Sequence, residues 1–252
     1  MLLEIDNVSK RFGGLTAVSN VSFAVAEGEV VGLIGPNGAG KTTLFNVVAG
    51  ALRASAGTIR FAGSDISGYR PYRICRLGLC RTFQIVKPFG NLSVLDNVVI
   101  GAFTRCPDRR SAYQVAEKIV METGLARWRD SLAHALPIGL RKRIELARAL
   151  ATKPRMILLD EVMNGLNPTE LREMMNLIQQ LNRGGMTILL IEHVMAAVMH
   201  LCQRIVVIHH GEKIADAPPQ EVARDPRVIE AYLGPGAAEL SHKFRERRAH
   251  AA

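Results

Sequence analysis

An α/β fold built on a parallel sheet is what this sequence predicts, and three observations predict it. The run Glu29-Val30-Val31-Gly32-Leu33-Ile34 is short and apolar, the pattern of a strand buried on both faces. A glycine-rich turn and a segment of helical period over residues 42–49 follow it directly. From residue 156 to residue 215, further apolar strands alternate with helical segments, as in a sheet whose crossovers are helices.

Taken in order, residues 2–8 and 20–26 carry strand patterns, with Arg11-Phe12-Gly13-Gly14 as punctuation between them. Residues 58–61 read as another strand. Helical periodicity then takes over residues 94–103, 113–123 and 141–150, with no strong strand between, so about 88–151 is expected to be an inserted helical subdomain. Strands return at residues 156–159, 187–191, 204–208 and 213–215, with helices expected over 169–181 and 194–201. Gly234-Pro235-Gly236 closes a single domain of residues 1–236. The basic stretch 237–252 is expected to be an unordered tail.

Composition narrows the classes. The chain has 252 residues, enough for one large or two small domains at roughly 100–200 residues each. It is 48% hydrophobic and 22% charged, which excludes a mainly disordered protein. Cys75, Cys80, Cys106 and Cys202 form no C-x-x-C, so neither a zinc site nor a disulfide scaffold is expected. No apolar run reaches the roughly 18 residues of a membrane span. Early acids Glu4 and Asp6 argue against a signal peptide, so a cytoplasmic protein is expected. The net charge of +9 suits phosphate ligands, nucleic acid or an anionic membrane surface. Aromatics at 5% are thin for stacking on single strands, and nucleic acid is not the expected ligand.

Three segments carry chemistry. Gly35-Pro36-Asn37-Gly38-Ala39-Gly40-Lys41-Thr42 fits G-x-x-x-x-G-K-[ST], between a buried strand and a helix as that motif requires. Glycines allow backbone N–H groups to close around phosphate oxygens, and the helix N-terminus adds its positive end. Lys41 is assigned to the β- and γ-phosphates and Thr42 to a magnesium ion. Met156-Ile157-Leu158-Leu159-Asp160-Glu161 brings two acids to the end of a buried strand. There Asp160 suits the metal shell and Glu161 a general base for the attacking water. The strand Thr187–Ile191 repeats the device with Glu192-His193, and His193 is a candidate donor to the γ-phosphate.

These motifs together resemble the ATP-binding subunits of ABC transporters, from Met1 to about Leu233. The resemblance implies a P-loop NTPase ABC-type nucleotide-binding domain with an antiparallel β subdomain and an inserted α-helical subdomain. In Lys10-Arg11-Phe12 it implies the loop whose aromatic, Phe12, stacks on adenine, and it adds Thr43 to the phosphate loop. Gln84, in Arg81-Thr82-Phe83-Gln84, matches the glutamine that senses Mg²⁺ and water. Asn164-Gly165-Leu166-Asn167-Pro168 matches the D-loop, and His193 the switch histidine. Segments such as Phe12-Gly13-Gly14-Leu15-Thr16-Ala17-Val18 and the stretch 226–234 are similar to the branched-chain amino acid uptake ATPases. The implied partners are two transmembrane permease subunits, a second ATP-binding subunit and, indirectly, a periplasmic or extracellular solute-binding protein. The implied station is the cytoplasmic face of the cell membrane. The readings set beside this one are a soluble ABC-type ATPase acting on nucleic acid or the ribosome, and a non-hydrolytic scaffold.

The family signature departs most. Where Leu-Ser-Gly-Gly-Gln is usual, this chain has Leu136-Pro137-Ile138-Gly139-Leu140. Gly139 keeps its place, so its backbone N–H remains available to a partner's ATP. The serine hydroxyl and glutamine amide are gone, at roughly 1.5–3 kcal/mol for each hydrogen bond lost to a charged group. Val162 stands where a proline usually follows the Walker B glutamate, and Asn167 where the D-loop usually has aspartate. Pro137 is expected in the first turn of the following helix.

Overall fold

The computed structural model describes residues 1–82 and 87–234. Along the chain come β1 (Leu3–Phe12), β2 (Leu15–Val25), β3 (Val30–Ile34), α1 (Lys41–Val48), β4 (Ala56–Phe61), β5 (Ser64–Asp65), α2 (Pro71–Leu77) and β6 (Leu79–Arg81). The helical stretch holds α3 (Val94–Ala102), α4 (Arg109–Glu122) and α5 (Ile138–Ala151). Then follow β7 (Met156–Asp160), α6 (Pro168–Arg183), β8 (Thr187–Ile191), α7 (Met195–Leu201), β9 (Arg204–His209), β10 (Glu212–Ala217), α8 (Pro219–Val222) and α9 (Pro226–Leu233). None of these helices is long and apolar enough to cross a membrane.

The main sheet runs β10-β9-β3-β8-β7-β6, parallel except for β10. Its central strands are apolar along their middles because both faces are covered, with polar residues such as Asp160, Thr187 and Arg204 at their ends, and alternation decides which residue serves which face. Val31, Leu33, Leu158, Leu189, Ile191, Val206 and Ile208 join the core beneath α1 and the second sheet. Their neighbours Val30, Ile34, Ile157, Leu159, Ile188, Leu190 and Val207 join the core beneath α6 and α7. The second sheet is antiparallel, in the order β2-β1-β4-β5.

Three local readings change. The strands expected at 2–8 and 20–26 extend to a tight hairpin in which Phe12 pairs with Leu15. The turn is only Gly13-Gly14, with Gly13 at φ 56°, so Phe12 is the last residue of a strand and not part of a loop. The segment before residue 88 holds α2 and β6, which periodicity did not reveal. A seven-residue helix closed by Gly78 in the left-handed region, and a three-residue strand, are too short to show a period. Finally, Pro137 is the N-cap of α5, which begins at Ile138.

Residues 94–151 have their own apolar seam. Val94, Val98 and Ala102 of α3 meet Ala112, Ala116 and Val120 of α4 and Ile144, Ala147 and Ala151 of α5, each at helical spacing. The opposite side of α5 sends Leu146, Ala149 and Leu150 to the core of the main sheet, so one helix serves both layers.

The contact between α3 and α5 is close at Gly101. A Cβ built there lies 2.2 Å from the Arg148 carbonyl oxygen. Helix propensity alone favours alanine by about 1 kcal/mol, but a backbone clash of this size forces the helices apart. Gly101→Ala is therefore expected to destabilise the chain by about 1–3 kcal/mol. Urea unfolding measures it; a stabilised variant would show that the two helices do not touch there.

Candidate functional site

Strands buried on both faces leave their polar residues to the loops that follow, and the order β3-β8-β7 seats three such loops side by side. Asp160 pairs in register with Ile191, and Leu33 pairs with Ile191 from the other side. The glycine loop, Asp160-Glu161 and Glu192-His193 therefore emerge at one edge of the sheet.

They enclose a cleft of about 440 Å³, lined by Phe12, Leu15, loop residues 37–43, Glu161 and His193. The glycines of the loop have specific reasons. A Cβ on Gly40 (φ 102°) would lie 2.3 Å from the Ala17 carbonyl oxygen, and one on Gly35 would lie 2.0 Å from that of Ile208. The loop thus wedges between two strands with no room for a side chain. Gly40 gives α1 no side-chain cap, and no acid stands in its first turn, so the N-terminal amides remain suited to an anion. Lys41 is buried, and its ammonium donates to the carbonyls of Gly35 (2.8 Å) and Pro36 (2.9 Å). Burial lowers its pKa, opposed by the charges of Glu161 and Asp160. A phosphate oxygen is a stronger, charged acceptor than either carbonyl. Phe12 is half exposed at the rim with the Lys10 ammonium 4.9 Å from its ring centre. Thr42 and Thr43 line the cleft.

Across from the loop stands Glu161. Its backbone is in the left-handed region at φ 50°, uncommon for a residue with a side chain. Such strain persists when neighbours over-determine it. Here the Glu161 N–H donates to the Ile191 carbonyl (2.9 Å), and the Glu161 carbonyl accepts from the Lys142 ammonium (3.0 Å). His193 Nε2 lies 3.0 Å from Glu161 Oε1. A carboxylate can only accept, so this ring nitrogen carries the hydrogen. Asp160 is fully buried. Its Oδ2 accepts from Arg81 at 2.7 Å, and its Oδ1 has no hydrogen-bond partner among the described residues. Asp160 is buried behind the cleft and does not line it; its open carboxylate oxygen and the Thr42 hydroxyl, which does line it, are hard oxygen donors of the kind magnesium takes.

Gly139 does not join this cleft. It lies buried in the first turn of α5, where a Cβ would meet the Glu170 carboxylate at 2.6 Å. Asn167 caps α6: its Oδ1 accepts from the amides of Thr169 and Glu170, and Glu170 returns a bond to the Asn167 amide. Gln84 lies outside the described residues.

Two site residues escaped sequence reasoning. Arg81 is one of many arginines in a short, unread strand. Lys142 sits in the basic run Arg141-Lys142-Arg143, which signals only a charged helix start. Its ammonium is buried, bonds the carbonyls of Glu161 and Asn164 (2.6 Å), and has its pKa lowered by burial.

Comparison with known proteins places this geometry. The profile of the ABC transporter family matches residues 18–164, and that of the branched-chain amino acid ATP-binding cassette transporters matches residues 212–235. The high-affinity branched-chain amino acid transport ATP-binding protein BraF of Pseudomonas aeruginosa is 39% identical over 249 residues, covering 92% of this chain and 98% of BraF. The corresponding protein LivG of Escherichia coli K12 is 38% identical over the same shares. The lipopolysaccharide export system ATP-binding protein LptB of Acidithiobacillus ferridurans is 37% identical, covering 92% of this chain and 97% of LptB. A nucleotide-free ATP-binding cassette from an ABC transporter superposes with a TM-score of 0.85 at 33% identity, covering 92% of this chain and 98% of that one.

One group near the cleft makes stability depend on pH. Glu192 is buried; its Oε1 accepts from the Met163 amide (2.8 Å), and its Oε2 has no hydrogen-bond partner among the described residues. Burial raises its pKa to about 7 from 4.5, against the Met163 amide and the Lys142 charge. Between these values the folded chain keeps a proton that the unfolded chain releases, so stability falls as pH rises through this window. Glu192→Gln removes that titration. From pH 5 to pH 8, the urea midpoint of the wild type is expected to fall more than that of the variant. Parallel midpoints would show that Glu192 does not hold its proton.

Proposed function

The chain belongs to the ABC transporter family, and on that premise we propose that it binds and hydrolyses ATP to drive import of branched-chain amino acids or a related small polar solute. One observation carries the chemistry: a single cleft holds the glycine loop, Lys41 and the Glu161–His193 pair. The carboxy-terminal match at residues 212–235 supports the solute class. The membrane-facing partners are two permease subunits, with a second ATP-binding subunit completing the pair of cassettes.

In this reading Lys41 and the amides of residues 37–43 bind the β- and γ-phosphates, and Phe12 and Leu15 hold the base at the rim. Thr42 and Asp160 would hold magnesium, with Gln84 joining them. When bound, the ion neutralises charge on the β- and γ-phosphate oxygens. Glu161 takes the proton of the attacking water as the water oxygen bonds the γ-phosphorus and the bond to the β–γ bridging oxygen breaks, leaving ADP and inorganic phosphate. His193, whose Nε2–H bonds that carboxylate here, would exchange this bond for one to the γ-phosphate when nucleotide is bound. Gly139, turned away from its own cleft, presents its N–H to the partner's nucleotide.

Purified chain tests these roles. Lys41→Ala is expected to lose about ten- to a hundredfold in ATP affinity, the value of roughly 1.5–3 kcal/mol for a charged hydrogen bond. Unchanged binding in a fluorescent-nucleotide titration would remove the loop from the site. Glu161→Gln is expected to bind ATP as the wild type does and hydrolyse it about 10²–10⁴ times more slowly. Wild-type turnover would reassign the base. For the solute, cells lacking the chain are expected to lose uptake of labelled leucine, isoleucine and valine, with rescue by the wild type and not by Lys41→Ala. Normal uptake with impaired lipid export would favour an export role of the kind named for LptB.

A further inference from the structure

Arg81 ends β6, the edge strand beside β7, where it pairs with Leu158. Three of the described residues hold its guanidinium. Nη2 donates to Asp160 Oδ2 at 2.7 Å, and Nη1 donates to Asn46 Oδ1 at 2.6 Å. The Phe45 ring lies beneath it at 5.7 Å. Its side chain is 9% exposed and that of Asp160 is 1%. Phe45 and Asn46 belong to α1, the helix that begins with Lys41 and Thr42. One buried guanidinium therefore ties the helix of the phosphate loop to the end of the strand that carries Asp160.

The division of labour at Asp160 matters. One carboxylate oxygen is engaged by Arg81, and the other has no hydrogen-bond partner among the described residues. The backbone is fixed as well: the Asp160 amide donates to Thr82 Oγ1 (3.2 Å), and the Thr82 amide donates to the Leu158 carbonyl (2.9 Å). With the main chain held and one oxygen clamped, turning the carboxylate breaks the bond to Arg81, so the direction of the second oxygen follows from the first. A carboxylate without that clamp would have to be oriented at the moment of metal binding.

We propose that Arg81 is a positioning residue for magnesium: it clamps one oxygen of Asp160 and so presents the other to the ion, with Asn46 and Phe45 holding the guanidinium in register with α1. This rests on the reading of Asp160 as a metal ligand. Partners that hydrogen-bond a ligating carboxylate are typically worth about 10–100-fold in metal affinity. The guanidinium fork is needed because it reaches Asn46 and Asp160 at once; the ammonium of lysine is a point charge on a flexible stem.

The test measures magnesium affinity at fixed nucleotide occupancy, not turnover. The full chain is loaded with a fluorescent ATP analogue in EDTA and titrated with Mg²⁺, following the fluorescence; Mn²⁺ binding by electron paramagnetic resonance gives a second readout. Arg81→Met and Arg81→Lys are both expected to need about tenfold or more Mg²⁺, while binding the nucleotide alone as the wild type does. Asn46→Ala leaves the Arg81–Asp160 pair intact and removes one anchor, so a smaller shift in the same direction is expected; this variant decides the matter if Arg81→Met fails to fold. Tighter Mg²⁺ binding in Arg81→Met would overturn the proposal, showing that Arg81 competes with the ion. A loss of thermal stability with unchanged Mg²⁺ affinity would also overturn it, leaving Arg81 a purely structural group. Asp160→Asn separates the two levels. If it leaves the Mg²⁺ titration unchanged, the metal-ligand reading of Asp160 fails. If it shifts the titration and neither Arg81 variant does, only the role of Arg81 fails.

Discussion

A strand covered on both faces confines its charged side chains to its ends, and this constraint places the chemistry of the molecule. β3, β7 and β8 are each fully buried, so their charged groups stand where the chain leaves the sheet: Asp160 as the last residue of β7, and Lys41, Glu161 and His193 beyond the strand ends. Because the strands are parallel, those exits share one edge. Because β8 lies between β3 and β7, the three exits are adjacent. Lys41, Asp160, Glu161 and His193 meet without any long-range device beyond strand order.

Collecting charges at a buried edge has its own cost, and the surrounding residues offset it. Lys41, Asp160, Glu161, Lys142 and Glu192 are all buried, and Arg81 nearly so. Each cation sits against an anion or a carbonyl: Arg81 on Asp160, Lys142 on the carbonyls of Glu161 and Asn164, Lys41 on the loop carbonyls. Removing one member of such a set leaves an uncompensated buried charge, typically worth about 3–5 kcal/mol. The groups are therefore coupled through the fold. The left-handed backbone of Glu161 is an example, since a bond from β8 and a bond from α5 hold it in place.

The sequence announced the parallel sheet, the helical middle and the motif residues because each has a local signature. Buried strands read as apolar runs, the α3–α5 seam repeats at helical spacing, and the glycine loop is defined by residues one after another. What it did not announce depends on distance. Arg81 and Asp160 are 79 residues apart, and Arg81 stands in a strand of three residues. Lys142 looks like a solvated helix residue until the carbonyls of Glu161 and Asn164 are folded over it. Asn167 shows the converse: the resemblance assigns it to the D-loop, and the structure adds a capping box that stabilises the start of α6.

The geometry of α5 links these levels. Its N-terminal turn carries Gly139, buried against Glu170 and outside the cleft of its own chain. One turn further on, Lys142 bonds the carbonyl of Glu161. Its apolar sides reach both the helical seam and the main sheet. A displacement of α5 would therefore pull on the backbone of the Glu161 carboxylate that lines the cleft. With proline at position 137 and leucine at 140, this turn carries no side-chain hydrogen-bond donor at either place, while Lys142 and the hydrogen bonds of Glu161 are in place. The start of α5 and its next turn are thus chemically separable: Pro137 and Ile138 are exposed, whereas Lys142 is buried and holds the backbone of Glu161.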